Sequence, residues 1–365
     1  MTGKEIFLRT FDFEETTRPL KWETPGIWSA TRKRWIEEGY DKDIKGRGFF
    51  DYFNMDAPIW LPIKGGWTGN PYYPMFEKKI LKDDGVNVTH IARDGITKKE
   101  RKIDPDTSMP QFLKFPVENK EQYEKNIKFR MDYTSEKRFP INWRDFVIKS
   151  QTRVNPLGMF IMGPFGYARN LLGDENLMYM LFDDSELIHQ IMYDWMKFYE
   201  GFIDKVCKDI VPDFVMIWED ISYNMGPLIS PKQFEIFMSP YLIKVIDKVK
   251  QNHIKGIVVD TDGNCHEMIP IYLNCGVNGF YPFEVQAGMD IVQLKKQYKD
   301  SFVIIGGLDK RTLAISKEAI IEEVDKKVPF MLKKKGYIPM LDHTVPPDVP
   351  YENFKFFIEY IRTYY

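Results

Sequence analysis

Residues Gly256–Asn264 read GIVVDTDGN, an apolar run that stops abruptly at two carboxylates, Asp260 and Asp262. The apolar part has the length and the valine and isoleucine content of a buried strand. Two carboxylates one residue apart repel each other, and burying an uncompensated charge is costly. The segment therefore predicts a buried strand that ends at a site supplied with water, hydrogen-bond donors or a cation.

The same pattern recurs through the second half of the chain. Short apolar runs alternate with longer stretches that carry apolar residues at i, i+3 and i+4. This alternation is typical of repeated βα units and a parallel sheet. Six units, with one or two earlier strands, predict an α/β fold, a (β/α)8 TIM barrel. The five further runs are LGMFIMGPFG (157–166), DFVMIWED (213–220), VNGFYPFE (277–284), SFVIIGGLDK (301–310) and GYIPMLDH (336–343).

The first part of the chain differs from the second in composition and pattern. Residues 1–150 are turn-rich and aromatic, and we expect an irregular N-terminal extension and the first barrel elements, packed on the barrel. Residues 151–365 would form the main βα-repeat part of a single barrel domain. The stretch VNVTHIARDGITKKERKI (86–103) predicts a hairpin that turns at Arg-Asp-Gly. Ser230 before Pro231 predicts a helix start.

Composition narrows the class of protein. The 365 residues are 44% hydrophobic with a net charge of -2 and no basic block, so neither nucleic acid nor an anionic membrane is indicated as a partner. Three cysteines without CxxC spacing predict neither a disulfide framework nor a thiolate metal site, and a cytoplasmic location fits best. No signal peptide or membrane span is predicted. The oligomeric state stays open, with a homodimer as one option.

Polar residues end five of the apolar runs. Catalytic groups of a barrel lie at the C-terminal ends of its strands, so we expect these carboxylates to form a shared rim there. The alternative is that each of them only stabilises a turn or caps a helix. Side chains alternate along a strand, so Asp260 and Asp262 can face one side, although Asp262 could instead cap the following turn. The run ends are Glu219-Asp220, Asp260/Asp262, Glu284, Asp309 and Asp342-His343.

Five segments carry a family resemblance. They are IWEDISYNMGPLISPKQFEIFMSPY (217–241), VVDTDGN (258–264), GVNGFYPFEVQAGMDIVQLKKQY (276–298), IIGGLDKRTL (304–313) and GYIPMLDHTVPPDVPYENFKFFIEYIR (336–362). Together they resemble the uroporphyrinogen decarboxylase superfamily, which includes cobalamin-dependent methyltransferases. The resemblance covers roughly residue 157 to the end, and it implies a (β/α)8 barrel with an open cleft at the strand C-termini.

The decarboxylase branch of that superfamily is similar to this chain at His343 and Glu219, whereas Asp220 stands where that branch has a serine. From this resemblance we expect Glu219 to be the inward-facing residue of the Glu219-Asp220 pair. Its N-terminal pair of arginines, which grip the carboxylates of the substrate, is not visible in LKWETPGIWSATRKRW (20–35). Without those cations a polycarboxylated porphyrin precursor would have several unpaired charges. Uroporphyrinogen decarboxylation is therefore disfavoured.

The thiol-methylating branch is similar at two other segments. It has His-x-Cys-Gly-Asn where this chain has DTDGN, and a cysteine near the Pro-Pro of LDHTVPP. Those three residues bind zinc in that branch, and the matching positions here hold Asp260, Asp262 and His343. Harder oxygen and nitrogen ligands would still suit Zn²⁺ with a fourth position open for a substrate atom, so the resemblance implies a zinc site that acts as a Lewis acid.

The chain most resembles the first methyltransferase component of corrinoid-dependent O-demethylase systems. That resemblance implies transfer of a methyl group from a small donor, plausibly an aryl methyl ether, to a separate corrinoid protein, because the chain has no corrinoid-holding Asp-x-His-x-x-Gly segment. An aryl donor would suit the aromatic N-terminal part, including Trp22, Trp28, Trp60, Trp67 and Tyr73. Predicted catalytic residues are Glu219, Asp220 and His343, and predicted substrate contacts are Trp28, Tyr167, Tyr223 and Glu284.

Two other functions stay open at the sequence level. One is a decarboxylase or lyase acting on a smaller acid, in which Asp220 or Asp260 handles a proton and His343 assists. The other is a non-catalytic, ligand-binding barrel that has lost the chemistry. The last is the weakest of the three, because Asp260, Asp262 and His343 are themselves good ligands.

Overall fold

A parallel sheet connected by helices forms the centre of the fold. The computed structural model describes residues 1–23, 26–64, 71–103 and 109–365, so Trp67 lies outside the described residues. The strands are β1 (Ile59–Trp60), β2 (Lys79–Asp83), β3 (Asn87–Ile91), β4 (Thr97–Arg101), β5 (Gln111–Lys114), β6 (Leu157–Met162), β7 (Phe214–Trp218), β8 (Ser222–Tyr223), β9 (Gly226–Pro227), β10 (Gly256–Thr261), β11 (Gly279–Pro282), β12 (Val303–Ile305) and β13 (Tyr337–Ile338). Seven of them form one parallel sheet in the order β1-β6-β7-β10-β11-β12-β13. The six predicted runs all supply strands of this sheet, so the parallel α/β architecture is confirmed.

Helices connect the strands and cover the sheet. They are α1 (Gly3–Phe11), α2 (Ser29–Glu37), α3 (Gly48–Tyr52), α4 (Lys120–Asn126), α5 (Trp143–Ser150), α6 (Pro164–Leu172), α7 (Asp174–Asp183), α8 (Ser185–Cys207), α9 (Pro231–Phe237), α10 (Ser239–Gln251), α11 (Ile269–Cys275), α12 (Ile291–Tyr298), α13 (Thr312–Ile315), α14 (Lys317–Lys333) and α15 (Tyr351–Ile361). Ser230 caps α9 as predicted, because its hydroxyl accepts a hydrogen bond from the Gln233 amide. No helix among the described residues combines the length and the apolar character that a membrane crossing demands.

The two edge strands of the sheet, β1 and β13, do not pair with each other in the described part of the chain. The segment that precedes α2 contacts both edges. The Asp56 amide donates to the Lys21 carbonyl at 2.7 Å on one side, and the Leu341 amide donates to Glu23 at 3.2 Å on the other. The structure thus shows a seven-stranded, barrel-type sheet, and it does not define the eighth strand or the closure of the predicted barrel.

Side chains of the sheet alternate between two cores. On β10, Val258 belongs to the inner cluster, whereas Ile257 and Val259 belong to the outer cluster under the helices. On β7, Met216 is an inner residue and Ile217 an outer one. This period of two fixes which residues at the strand ends point toward the centre of the sheet.

Helix α1 packs against the amino-terminal ends of the strands. The rings of Phe7 and Phe214 lie 5.0 Å apart between centroids. A side chain at Gly256 or Gly279 would approach the Phe11 ring to within 3.2–3.3 Å, so both glycines leave space for it. Aromatic rings therefore fill the floor of the sheet, opposite the carboxyl ends of the strands.

A second, antiparallel sheet follows β1 in the order β2-β3-β4-β5. Its central hairpin, β3 and β4, pairs Asn87 with Arg101 and Ile91 with Thr97. The turn between them is held by the Ala92 amide on the Ile96 carbonyl and by the Ile96 amide on Asp94. The predicted hairpin with its Arg-Asp-Gly turn is confirmed.

Candidate functional site

The candidate site lies at the carboxyl ends of the parallel strands. Asp260 on β10 is in register with Trp218 on β7 and with Tyr281 on β11. Because Val258 faces the inner cluster, Asp260, two residues later, is directed to the same side. The loops after β10, β11, β12 and β13 bring further ionisable residues to this edge, as the barrel prediction requires.

Asp262 and His343 meet at this edge. Nε2 of His343 lies 3.3 Å from Oδ2 of Asp262, and both side chains are partly exposed. Burial by itself would lower the pKa of His343, but the neighbouring Asp262 carboxylate outweighs it, and the pKa of the imidazole is raised above its ordinary value. The pair therefore favours a charged imidazolium. His343 contacts the Asp262 carboxylate across the site. The alternative, in which Asp262 only caps its own turn, is therefore not observed.

Asp260 stands apart from the other carboxylates. No described residue donates a hydrogen bond to it or forms a salt bridge with it. Burial raises the pKa of Asp260 well above its usual range, and the charges of Asp262 and Asp220 raise it further. Asp260 thus lies at the strand ends with no cation or hydrogen-bond donor beside it in the part of the chain that the structure describes.

A second group of charges surrounds Lys310, which the sequence reasoning missed as a site residue. Its ammonium group lies 3.2 Å from Oε1 of Glu284 and 3.7 Å from Oδ1 of Asp342. Oε2 of Glu284 accepts a hydrogen bond from the Gly263 amide at 3.0 Å. Asp342 accepts from the Val285 and Lys310 amides, and burial raises its pKa although Lys310 opposes the shift. Lys310 and its partners therefore tie four loops of the site together.

Glu219 does not face the centre of the sheet, which corrects the prediction. It follows the last residue of β7 and is fully buried against the start of α6. Its Oε2 accepts the Phe165 and Gly166 amides at the start of α6, at 2.9 and 3.1 Å. Burial raises its pKa to about 8. The Tyr272 hydroxyl lies beside Glu219 and, with the two amides, opposes this rise in pKa. This placement suits a neutral carboxyl that holds α6, rather than a group in contact with substrate.

Asp220 forms an ion pair with Arg169, which is 51 residues away in the chain and was not predicted as its partner. Nη2 of Arg169 lies 2.6 Å from the Asp220 carboxylate, and Nη1 lies 2.8 Å from the Asp220 carbonyl. The Arg169 guanidinium also stacks 5.4 Å from the Trp218 ring. Asp220 has a φ of +47°, a left-handed conformation that is uncommon for residues other than glycine. The predicted catalytic Asp220 is thus part of a turn held by an ion pair.

The predicted substrate contacts fall in three different places. Tyr223 is 57% exposed on the β8–β9 hairpin, and its carbonyl accepts the Asn264 amide at 3.0 Å, so this hairpin lies on the Asp262 loop. Trp28 begins α2, and its amide donates to Val345, two residues after His343. Tyr167 is fully buried and donates its hydroxyl to the Met131 sulfur, which argues for packing instead of substrate contact.

Asp260, Asp262 and His343, the three side chains predicted to bind zinc, do not come together as ligands of one ion. In the part of the chain that the structure describes, no three His, Cys, Asp or Glu side chains are grouped closely enough to hold one metal ion. Asp262 and His343 face each other, but Asp260 does not complete a set with them. The arrangement does not fit a three-ligand zinc centre, and no step below is routed through a metal.

Comparison with known proteins shows which family the sequence of this chain matches. The family model described as uroporphyrinogen decarboxylase (URO-D) matches residues 106–364. A uroporphyrinogen decarboxylase of Vesicomyosocius okutanii is 26% identical over 187 residues, 51% of each chain. One of Rickettsia africae is 39% identical over 85 residues, 23% of this chain and 24% of that protein. The chain spans about half the length, or less, of these curated relatives.

A solved structure shares the overall fold. A methyltransferase from Methanosarcina mazei aligns with a TM-score of 0.64, covering 100% of this chain and 99% of that chain. The sequence identity is 14%, so the likeness shows the fold alone. This likeness over the whole chain agrees with the architecture of the central sheet.

Proposed function

This chain belongs to the uroporphyrinogen decarboxylase family, and from that premise we propose that it is a methyltransferase that moves a methyl group from a small methylated donor to a separate corrinoid protein. The observation that carries the proposal is the Asp262–His343 pair beside Asp260, at the edge where a barrel of this kind binds substrate. The fold shared with the Methanosarcina mazei methyltransferase supports it.

The charges at the site argue against a polycarboxylate substrate. All its basic side chains are already engaged by carboxylates: Arg169 by Asp220, Lys310 by Glu284 and Asp342, Arg311 by Asp309, and His343 by Asp262. A porphyrinogen with several carboxylates would find no free cation among these residues, and Asp260 would repel it. The family name by itself therefore does not assign uroporphyrinogen as the substrate.

Methyl transfer needs a nucleophile and a leaving group. A corrinoid in its reduced cobalt(I) state supplies the nucleophile when the partner protein brings it to the site. This chain would hold the donor between the strand ends, and His343, kept charged by Asp262, would give a proton to the atom from which the methyl group departs. The protonated leaving group then departs without its negative charge, which lowers the barrier to transfer.

The free thiols agree with a reducing, cytoplasmic setting, which is part of the proposal. Cys207, Cys265 and Cys275 form no disulfide in the described part of the chain. Burial raises the pKa of Cys207 and of Cys265 to about 12, so both thiols stay protonated and unreactive.

A second candidate is a decarboxylase or lyase acting on a small acid. It is favoured by the names of the curated relatives and by Asp260, whose pKa burial raises, as happens for many carboxyl groups that exchange protons in active sites. This candidate requires no corrinoid. Its substrate would have at most one or two carboxylates, since the basic side chains of the site are engaged.

The experiment that separates the two uses free cobalamin, reduced to cobalt(I), as the methyl acceptor. We expect protein-dependent methylation of cobalamin from a panel of methyl ethers and methylamines, and a loss of about a hundredfold in the His343→Gln variant. Asp309→Asn is the matched control, because Asp309 is held by Arg311. Release of carbon dioxide from small acids without cobalamin, and no methylation from any donor, would favour the second candidate and overturn the first.

A further inference from the structure

The strand register of the antiparallel sheet collects basic side chains on one of its two faces. Side chains that pair across the strands share a face, and three paired rows lie on this one. The rows are Lys79, Ile91, Thr97 and Lys114; Lys82, Thr89, Lys99 and Gln111; and Asn87 with Arg101. The register of β2 shifts before Lys82, and such a bulge allows Lys79 and Lys82 to lie on one side although they are three residues apart. We call this surface, with its five basic side chains and no acidic one, the basic face.

The cations of the basic face are accessible, and most of them have no counter-ion. Lys79, Lys82 and Arg101 are exposed, and Lys99 is half-buried. Among the described residues, only Lys114 of the five has a salt bridge, at 3.2 Å. The other four charges are therefore open to a partner.

The acidic residues of the same strands lie on the opposite face. Asp83 and Glu100 share one paired row, which alternates with the rows of the basic face. Asp83 binds Lys102 at 2.8 Å, and Glu100 lies 2.9 Å from Nε2 of His90. The sheet thus separates its charges between two sides, although its sequence mixes them.

Acidic residues of the turns do not cancel the charge of the basic face. Asp84, in the turn after β2, is near Lys99, but its carboxylate accepts two amides of its own turn at 3.0 and 2.6 Å. The segment 104–108 lies outside the described residues and contains Asp104 and Asp106. Counting both against the five cations would still leave the face basic.

The antiparallel sheet is joined to the edge of the central sheet that carries the candidate site. It follows the carboxyl end of β1 in the chain. The Tyr72 hydroxyl donates to the Asp94 carbonyl in the β3–β4 turn at 2.5 Å, and the Val117 amide donates to the Leu171 carbonyl of α6 at 3.1 Å. Helix α6 itself begins two residues after the carboxyl end of β6. A partner that contacts the basic face would therefore be held on the same side of the molecule as the candidate site.

A protein with an acidic surface is the partner that these charges fit. The chain has a net charge of -2, so without the five cations of the basic face the remainder carries -7 and would repel a long nucleic acid or an extended anionic membrane. The three rows also contain no aromatic ring on which a base could stack. Resting on the methyltransferase function proposed above, we propose that the basic face is the docking surface for an acidic face of the partner corrinoid protein.

The size of the basic face suits a partner that comes and goes. Strands about 4.8 Å apart, with about 3.3 Å per residue, give a face of roughly 15 by 17 Å. A stable complex buries about 800 Å² on each partner, which is several times this outline. A small, charged contact mainly raises the rate of association and leaves dissociation fast. A carrier that exchanges its methyl group in every turnover requires both.

Binding of a defined acidic polypeptide tests the basic face without any assumption about catalysis. The probe is fluorescently labelled poly-L-glutamate, followed by anisotropy at about 50 mM and about 300 mM salt. We expect at least about tenfold weaker binding at the higher salt, and at the lower salt a similar loss when four cations are neutralised. The four changes are Lys79→Gln, Lys82→Gln, Lys99→Gln and Arg101→Gln.

A matched variant controls for the loss of charge itself. It neutralises four exposed lysines that have no salt bridge within the described ranges: Lys33→Gln, Lys45→Gln, Lys149→Gln and Lys326→Gln. This variant should bind poly-L-glutamate within about threefold of the native protein. Thermal unfolding of both variants would confirm that they are folded. Equal losses in the two variants, or no binding by the native protein at low salt, would overturn the proposal. Tighter binding of poly(U) or of phosphatidylserine vesicles than of poly-L-glutamate would overturn it in favour of nucleic acid or membrane.

Methyl transfer supplies the second test, with a purified corrinoid protein and free cobalamin as alternative acceptors. Neutralising the basic face should lower kcat/KM for the corrinoid protein by about tenfold and leave transfer to free cobalamin unchanged. Unchanged kcat/KM for the corrinoid protein would refute the docking surface while upholding the methyltransferase. Failure of the proposed function looks different, because neither acceptor would be methylated from any donor. The poly-L-glutamate result would then still decide whether the basic face binds an acidic protein.

Discussion

The ammonium group of Lys310 lies 3.2 Å from Oε1 of Glu284, whose other oxygen accepts the Gly263 amide. This relationship links the loop after β12 to the loop that carries Asp262, although Lys310 and Glu284 are 26 residues apart in the chain. The position of the Asp262–His343 pair therefore depends on a lysine that contacts neither residue of the pair.

Replacing Lys310 with methionine should destabilise the protein and loosen the site. Glu284 and Asp342 would be left partly buried without their cation, and we expect a loss of about 2–3 kcal/mol in the free energy of unfolding, measured in urea. Lys310→Arg should recover part of that loss because it retains the charge. A loss below about 0.5 kcal/mol for Lys310→Met would contradict the role assigned to Lys310.

The pKa of His343 should depend on Asp262. Because the pKa of His343 is raised in the folded protein, the pair stabilises the fold below the ordinary histidine value of 6.5, and this contribution is lost as the pH rises through the folded value. Both side chains are partly exposed, so the effect on stability should stay below about 1 kcal/mol. NMR titration of the imidazole should show a lower pKa in Asp262→Asn, while the other four histidines are unchanged. An unchanged His343 would rule out the pairing.

Glu219 should make stability depend on pH in the neutral range. Its pKa is raised from 4.5 to about 8 by burial, so the stabilisation from the neutral carboxyl is present below 4.5 and is lost as the pH rises through about 8. Each pH unit between these values should cost up to about 1.4 kcal/mol. Glu219→Gln, which is neutral at every pH, should flatten the dependence. A native protein equally stable at pH 5 and pH 8 would show that Glu219 is ionised throughout.

Asp220 and Asp260 should differ in their importance for activity. Asp220 is already engaged by Arg169, so Asp220→Asn should reduce methyl transfer less than tenfold. Asp260→Asn should reduce it by about a hundredfold, because the site loses its only unpaired carboxylate among the described residues. Steady-state rates of the two variants would be compared at saturating cobalamin. Equal losses of activity in the two variants would indicate that Asp220 also acts on the substrate.

Metal content should be low. Since the described His, Cys, Asp and Glu side chains form no group of three, we expect less than about one-tenth of an equivalent of zinc in protein purified without chelator, measured by atomic emission. Added zinc should not raise activity. Stoichiometric zinc that disappears in His343→Gln would instead establish the ligand set predicted from the sequence.

The strands of the central sheet could be predicted from the sequence because the patterns that indicate them are local. Apolar runs with alternating helical stretches indicated six strands of the central sheet, and the Arg-Asp-Gly turn indicated the β3–β4 hairpin. Local signals also separate α7 from α8 and α9 from α10, which follow each other without a strand between them. Asp184 caps the start of α8 with its side chain, and Pro240 lies in the first turn of α10.

The site was only partly readable because its contacts are distant in the chain. The family resemblance brought Asp262 and His343 together, but it could not pair Arg169 with Asp220, which are 51 residues apart. Glu219 was placed on the wrong side because strands of a parallel sheet are apolar on both faces, so the sequence does not mark which side is inner. Tyr167 follows a strand end as substrate contacts do, yet its helix turns it into the core.

The aromatic plug that α1 forms with Phe7 and Phe11 has a kinetic consequence. With aromatic rings filling the base of the sheet, the carboxyl ends of the strands are the side from which a substrate would enter. Under the function proposed above, the donor would have to enter there before the partner protein docks, and the demethylated product would leave after the partner departs. Excess partner protein should therefore slow turnover, because it would bind the enzyme before the donor does and block the entry of the donor.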